Sequence, residues 1–154
     1  HSTGLIGESP KRNSSNLFPV IGKVLRGKLD KLSIFGNDWP TNDGTCIRDY
    51  IHVMDLADAH IAALNFISKN DSELFSLNIG TGEGKSVLEV IQTFSDINRV
   101  KLPYSFKNRR KGDTPYLVAD NALALKVLNW KPRRNFERIC LDSYNFFLKN
   151  NFEN

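Results

Sequence analysis

No apolar run in this 154-residue sequence approaches the ~18 to 20 residues that a helix needs to cross a membrane, so no membrane partner is expected. A leader is missing too. The chain opens on His1 and lacks the charged, apolar and small-residue succession of an export signal, so it reads as a cytoplasmic fragment or processed piece. Cysteine is scarce: Cys46 and Cys140 lie far apart with no His or Cys at metal-ligand spacing, which predicts free thiols and no metal site. Histidine is nearly as rare. His52 and Asp55 could share a helical face, but no third ligand accompanies them, and both His52 and His60 read as structural. No Gly-x-Ser-x-Gly elbow is present, which leaves a serine hydrolase without its nucleophile. Asp55 and Asp58 lie one turn apart on what reads as a capped, solvated helix start, unlike an acid-base pair. Long basic runs with interleaved aromatics are also lacking. The formal net charge of +4 is spread over Lys107 to Lys111, Arg133, Arg134 and single residues, so nucleic acid is not expected. The same excess suits a pocket for a phosphorylated small molecule.

What is present is the composition of one globular domain, with 40% hydrophobic and 25% charged residues. Folds of this size bury ~68 to 70% of their unfolded surface, so a real core is possible. Leu17, Val20, Ile21, Val24 and Leu25 recur at helical spacing behind a candidate N-cap at Asn16 or Ser15, and Gly27 suits the end. Leu32 to Phe35 reads as a strand, and Asp49 to Val53 as another. Leu56, Ala59, Ala63, Leu64 and Ile67 share one face of a helix running to about Ser68, with Asp55 and Asp58 in its early turns. A polar connection over 70–73 leads to a β-prone segment, Leu74 to Ile79. Ser86 and Glu89 form a capping box that opens a helix from Val87 to about Ile97. Pro103 to Phe106 predicts a strand, Asp120 caps a helix through Leu128, and a last helix starts near Asn135 with Phe136, Ile139, Cys140, Ser143, Tyr144 and Phe147 buried. The class is α/β, with strand and helix alternating only in the middle.

Three stretches carry candidate chemistry. Gly36, Asn37, Asp38, Pro40, Asn42, Asp43 and Gly44 make an ordered loop that delivers Arg48 at its junction with a strand, where binding residues are often mounted. The glycine loop from Asn78 to Ser86 resembles a phosphate cradle but misses the Walker spacing by one residue and lacks the third glycine of a dinucleotide loop, so a tight strand-to-helix turn is expected. The basic loop joins Arg109 and Arg110 to Lys111, Gly112 and Asp113. An Arg-Arg pair is usually a solvated surface, but guanidinium forks match phosphate oxygens and a carboxylate matches a ribose diol. With Arg48 nearby, a diphosphate clamp is a second reading.

The segments GNDWPTNDGTCIRDYIHVMDLADAH, NIGTGEGKSVLEV, RRKGDTPYLVAD and LNWKP together resemble the carboxyl-terminal half of the UDP-glucose 4-epimerases, in the extended short-chain dehydrogenase/reductase superfamily. The resemblance covers essentially the whole chain. It implies that residues 1–154 are a C-terminal UDP-sugar-binding region, of which about 49–80 packs onto an N-terminal Rossmann domain missing from the sequence. It also implies roles: Asn16 and Leu17 meet the diphosphate and sugar, and Ser33, Ile34 and Phe35 meet uracil. Arg48 and Arg110 grip the phosphates, Asp113 the ribose, and Leu117 stands near the sugar ring. The family interconverts UDP-glucose and UDP-galactose through a 4-keto intermediate with bound NAD, using a Tyr-x-x-x-Lys pair. Four residues after Tyr50, Tyr104, Tyr116 and Tyr144 stand Met54, Asn108, Asp120 and Leu148, so no catalytic or NAD-binding residue is expected in this chain. A homodimer stays open for the intact enzyme. The alternatives are a stand-alone UDP-sugar-binding module and a related nucleotide-sugar dehydratase or decarboxylase.

Overall fold

A computed structural model describes residues 1–10, 16–70 and 76–150. The expected capping by Ser15, residues 71–73 of the polar connection, and the first two residues of the β-prone segment at Leu74 lie outside that range. The elements follow in the order α1 (Leu17–Leu25), β1 (Leu32–Phe35), β2 (Ile47–Asp49), α2 (Val53–Ile67), β3 (Gly84–Ser86), α3 (Val87–Asn98), β4 (Tyr104–Lys107), β5 (Tyr116–Leu117), α4 (Ala122–Leu128) and α5 (Phe136–Lys149). Two small sheets result, a parallel pair β1–β4 and a three-stranded sheet in the order β3-β2-β5, with β3 antiparallel and β5 parallel to β2.

The larger core forms where α1, α3 and α5 bring Ile21, Val24, Ile91, Phe94, Cys140 and Phe146 against Leu32 and Ile34 of β1. Alternation explains why β1 can serve both the core and a surface. Leu32 and Ile34 point inward, whereas Ser33 is exposed and Phe35 half-buried. The capping box at α3 forms as its sequence predicts: the Ser86 hydroxyl accepts from the Glu89 amide, and Glu89 returns a carboxylate to the Ser86 amide at 2.7 Å. Asn135 likewise caps α5, its side chain accepting from the Arg138 amide. A smaller cluster gathers Ala59, Leu128 and Trp130 between α2 and α4.

Several expectations need correction. The second strand ends at Asp49 instead of beginning there, because His52 is already the N-cap of α2, its Nδ1 accepting from the Met54 amide at 3.0 Å. Arg48 therefore sits within β2, not at its junction with the preceding loop. Residues 76–79 carry no strand; Leu77 and Ile79 pack against the smaller cluster, and the Asn78 side chain donates through Nδ2 to the Asp120 carbonyl. The one-faced pattern assigned to α2 splits in two. Ala59 is buried, but Leu64 and Ile67 are 67% and 66% exposed and fall in a stripe with exposed Val53 and Ile61. Asp55, read as solvated, is wholly buried, where its carboxylate accepts from the Arg134 backbone amide at 3.0 Å and pairs with that residue's guanidinium. Asp120 does accept from the Ala122 amide, although Asn121 holds the N-cap position of α4.

Candidate binding cleft

A cleft of about 610 Å³ opens between the start of α1, the outer edge of β1, β2 and the basic loop. Asn16, Leu17, Ser33, Ile34, Phe35, Arg48, Arg110 and Asp113 all line it, so the structure gathers residues drawn from four separate parts of the sequence. Leu117 does not. It pairs in register with Arg48 on β5 but is 64% exposed and lies outside the cleft lining.

Each wall follows from local structure. The amides of Leu32 and Gly36 donate to the carbonyls of Pro103 and Lys107 beside β1. The period of two then turns the backbone groups of Ser33 and the Phe35 amide to the opposite edge, beside the cleft, while the Phe35 carbonyl accepts from Trp39 Nε1 at 3.1 Å. A strand edge presented this way offers alternating donors and acceptors, as the edge of a planar base requires. Asn16 precedes the first turn of α1 without capping it; its Nδ2 donates to Glu8 Oε1 at 2.7 Å.

The charged wall is held from several sides. Arg48 Nη1 donates to the carbonyls of Ile47 at 2.8 Å and Thr114 at 2.9 Å, while Nη2 lies 3.8 Å from Asp113. Arg110 donates to the same carboxylate through Nε at 3.0 Å, and its guanidinium lies over the Phe35 ring at 4.5 Å. Asp113 thus joins the two cations. Arg109 departs from the expected clamp, because it turns away to Asp38 and Trp39.

Sequence reasoning missed Cys46 and Tyr50, which line the cleft on either side of Arg48. The signal was available: residues two apart along extended backbone share a face, so a cleft position at Arg48 carries Cys46 and Tyr50 with it. Burial pushes the Cys46 thiol up. Tyr50, packed edge-on against Phe18 at 5.8 Å, is raised by burial to about 12. Glu8 and Phe18 also line the cleft and had no such signal.

Asp49 faces the other side of β2 and explains the glycine loop. Its carboxylate accepts from the Thr81 amide at 2.9 Å, the Thr81 hydroxyl at 2.6 Å, the Gly82 amide at 3.0 Å and the Ala119 amide at 3.3 Å. A Cβ at Gly80 would collide with that carboxylate and with Ala119. The loop is a turn built around an internal anion, but not the strand-to-helix turn expected: no strand precedes it at 76–79, and its last residues form β3, which runs directly into α3. His52 is structural as well: its Nε2 lies 3.1 Å from Asp142 Oδ2, and both residues are buried. The His60 ring meets the Leu56 carbonyl at 2.7 Å. Cys46 and Cys140 are free thiols, no cluster of potential metal ligands occurs among the described residues, and no described helix is long and apolar enough to cross a membrane.

A family model described as GDP-mannose 4,6 dehydratase matches residues 7–143. A UDP-glucose 4-epimerase of Bacillus subtilis is 45% identical over 144 residues, covering 94% of this chain and 42% of its own length. One from Pasteurella multocida is 44% identical over 150 residues, covering 97% of this chain and 44% of its own. Among solved structures, a Stenotrophomonas maltophila UDP-glucose-4-epimerase with bound NAD and formylated UDP-arabinopyranose superposes with a TM-score of 0.92 at 44% identity, over 97% of this chain and 44% of the other. A Bifidobacterium longum UDP-glucose 4-epimerase in complex with NAD+ and UDP gives 0.91 at 41% identity, over the same 97% and 44%. The chain therefore spans less than half the length of these relatives.

Proposed function

Because this chain belongs to the GDP-mannose 4,6 dehydratase family and closely resembles part of the UDP-glucose 4-epimerases, we propose that it is the UDP-sugar-binding part of such an epimerase. The observation that carries this reading is the convergence of Arg48, Arg110 and Asp113 with Asn16 and the open edge of β1 on one cleft. The cations grip the diphosphate, Asp113 takes the ribose hydroxyls, and the β1 edge with the Phe35 ring receives uracil. Asn16 and Leu17 reach toward the diphosphate and sugar. Leu117, outside the lining, approaches the sugar only where other parts of the intact protein extend the cleft.

An epimerase must keep hold of its nucleotide while the oxidised sugar turns over, and a clamp anchored to backbone carbonyls performs that service. Positioning reduces the freedom lost at each encounter of sugar and reactive groups. The glycine loop is filled by Asp49, so we assign NAD and the hydride and proton steps to residues outside this chain. The exposed stripe of Val53, Ile61, Leu64 and Ile67 is the surface through which the region 49–80 packs onto that missing part.

Titration with UDP tests the reading. Charge-assisted hydrogen bonds contribute roughly 1.5 to 3 kcal/mol each, so Arg48→Ala and Arg110→Ala should each raise Kd by roughly 10- to 150-fold. Unchanged affinity in both variants sinks the assignment.

A further inference from the structure

We propose that Asp38, Trp39 and Arg109 form a clasp that positions Arg110 and Phe35 for the nucleotide without touching it, an inference that rests on reading the cleft as a UDP-sugar site. Neither Trp39 nor Arg109 lines the cleft, yet both belong to the loops that deliver its residues.

The contacts form a continuous stack. Arg109 Nε donates to Asp38 Oδ1 at 2.7 Å, and its Nη2 donates to the Asp38 carbonyl, so one guanidinium grips both the side chain and the backbone of the turn-rich loop. The same guanidinium lies 4.0 Å from the centre of the Trp39 ring. Trp39 Nε1 in turn donates to the Phe35 carbonyl at 3.1 Å, and the Phe35 ring carries Arg110 at 4.5 Å. Two neighbouring arginines thus stack on two aromatics that are themselves hydrogen-bonded. Gly36 makes the packing possible: its φ is +91°, and a Cβ there would meet Trp39 Nε1 and Arg109 Cγ.

Position decides the function of this unit. The Asp38 and Arg109 side chains are 67% and 41% exposed, and an ion pair so exposed contributes little to stability by itself. Its consequence is local. It closes residues 108–113 onto the turn-rich loop, and Arg110 has Arg109 as its immediate neighbour. Without the clasp, the Arg110 guanidinium keeps its partner Asp113 three residues away, but both ride on a loop no longer fastened to β1 at this point. The order lost is that of the charged wall relative to the base-binding edge. A planar guanidinium is needed, because the hold combines a fork-shaped pair of hydrogen bonds with stacking on a flat ring.

A double-mutant cycle on UDP binding separates this role from direct contact. Arg109→Met retains an apolar stem over Trp39 but removes the fork. It should raise the Kd for UDP roughly tenfold in the otherwise wild-type chain, and by less than about twofold when Arg110 is already alanine. Trp39→Leu should show the same dependence on background. Hydrogen exchange of the amides of 108–113 should quicken in Arg109→Met while the β1–β4 pairing keeps its protection. Equal losses in both backgrounds would assign Arg109 a direct phosphate contact and overturn the clasp. Tight UDP binding by the wild type with unchanged affinity in Arg109→Met also overturns the clasp and leaves the cleft reading standing. Absence of UDP binding in the wild type instead overturns the cleft reading and, with it, the clasp's part in substrate binding.

Discussion

Asp49→Asn is the smallest change that separates the two faces of β2. The wild-type carboxylate accepts four hydrogen bonds, three from backbone amides at Thr81, Gly82 and Ala119 and one from the Thr81 hydroxyl. Asparagine keeps one acceptor oxygen and replaces the other by an NH2 group, so whichever way it turns, a donor faces donors. With the oxygen kept toward Thr81, the Gly82 and Ala119 amides lose their acceptor. Each loss costs about 1 to 3 kcal/mol, the 3.3 Å bond to Ala119 being the weaker, so a total of about 2 to 4 kcal/mol is expected. For a domain of this size that corresponds to a fall in Tm of roughly 5 to 15 °C. Urea unfolding followed by circular dichroism measures it, provided that the slope with denaturant is unchanged. UDP affinity should fall far less in the folded variant than in Arg48→Ala, since Asp49 points away from the cleft. A stability loss below about 0.5 kcal/mol, the range of an ordinary surface substitution, would refute the view that the glycine loop is built around this anion.

Acid should weaken the fold in two stages. Burial favours neutral His52 despite its bond to Asp142, so its affinity for a proton is lowered in the folded state; that contribution is complete above the unfolded histidine value near ~6.5 and shrinks as pH falls below it. Asp142 is lowered because the hydrogen bonds from Arg138 and His52 outweigh its burial, and Asp43 because those from Ser86 and Thr45 outweigh its own. Their contribution is present above the unfolded aspartate value near ~3.9 and is lost as pH drops through their folded values. Urea midpoints between pH 7.5 and 5 should therefore decline in the wild type and flatten in His52→Gln; an unchanged slope would contradict the assignment. Burial also holds Cys140 at about 12 and Cys46 above its usual value, so a thiol reagent at pH 8 should modify neither until the chain unfolds. Rapid labelling of Cys140 in the native chain would show that the core opens more readily than described, and rapid labelling of Cys46 that the cleft admits the reagent. Finally, replacing Ile61, Leu64 and Ile67 together by glutamine should reduce self-association of the isolated chain in light scattering without changing UDP affinity. A variant that aggregates as much as the wild type would remove that stripe as a docking surface.

Much of the fold was legible where one local signal sufficed. The spacing of Leu17, Ile21 and Val24, the run Leu32 to Phe35 and the Ser86–Glu89 box each produced the element they predict, because such signals are short-range. Two of the short strands were not legible. β3 contains a glycine and a lysine, and β5 has two residues; both exist because β2 lies between them. Asp55 and Asp49 were hidden for the same reason, since each is neutralised or hydrogen-bonded by residues distant in sequence, Arg134 in one case and the glycine loop in the other. The cleft was legible through family resemblance more than through chemistry: nothing in the run Arg109-Arg110 says that only the second arginine faces inward. That choice is made by Asp38 and Trp39, from the other side of the site.

The most direct measurement is calorimetric titration of UDP into the 154-residue chain, repeated with Arg48→Ala and Arg110→Ala. Saturable binding at one site, weakened at least roughly tenfold by either substitution while the folded state persists, is the predicted result. A folded wild-type chain with no affinity for UDP, or one whose affinity survives both substitutions, would contradict the assignment of this cleft.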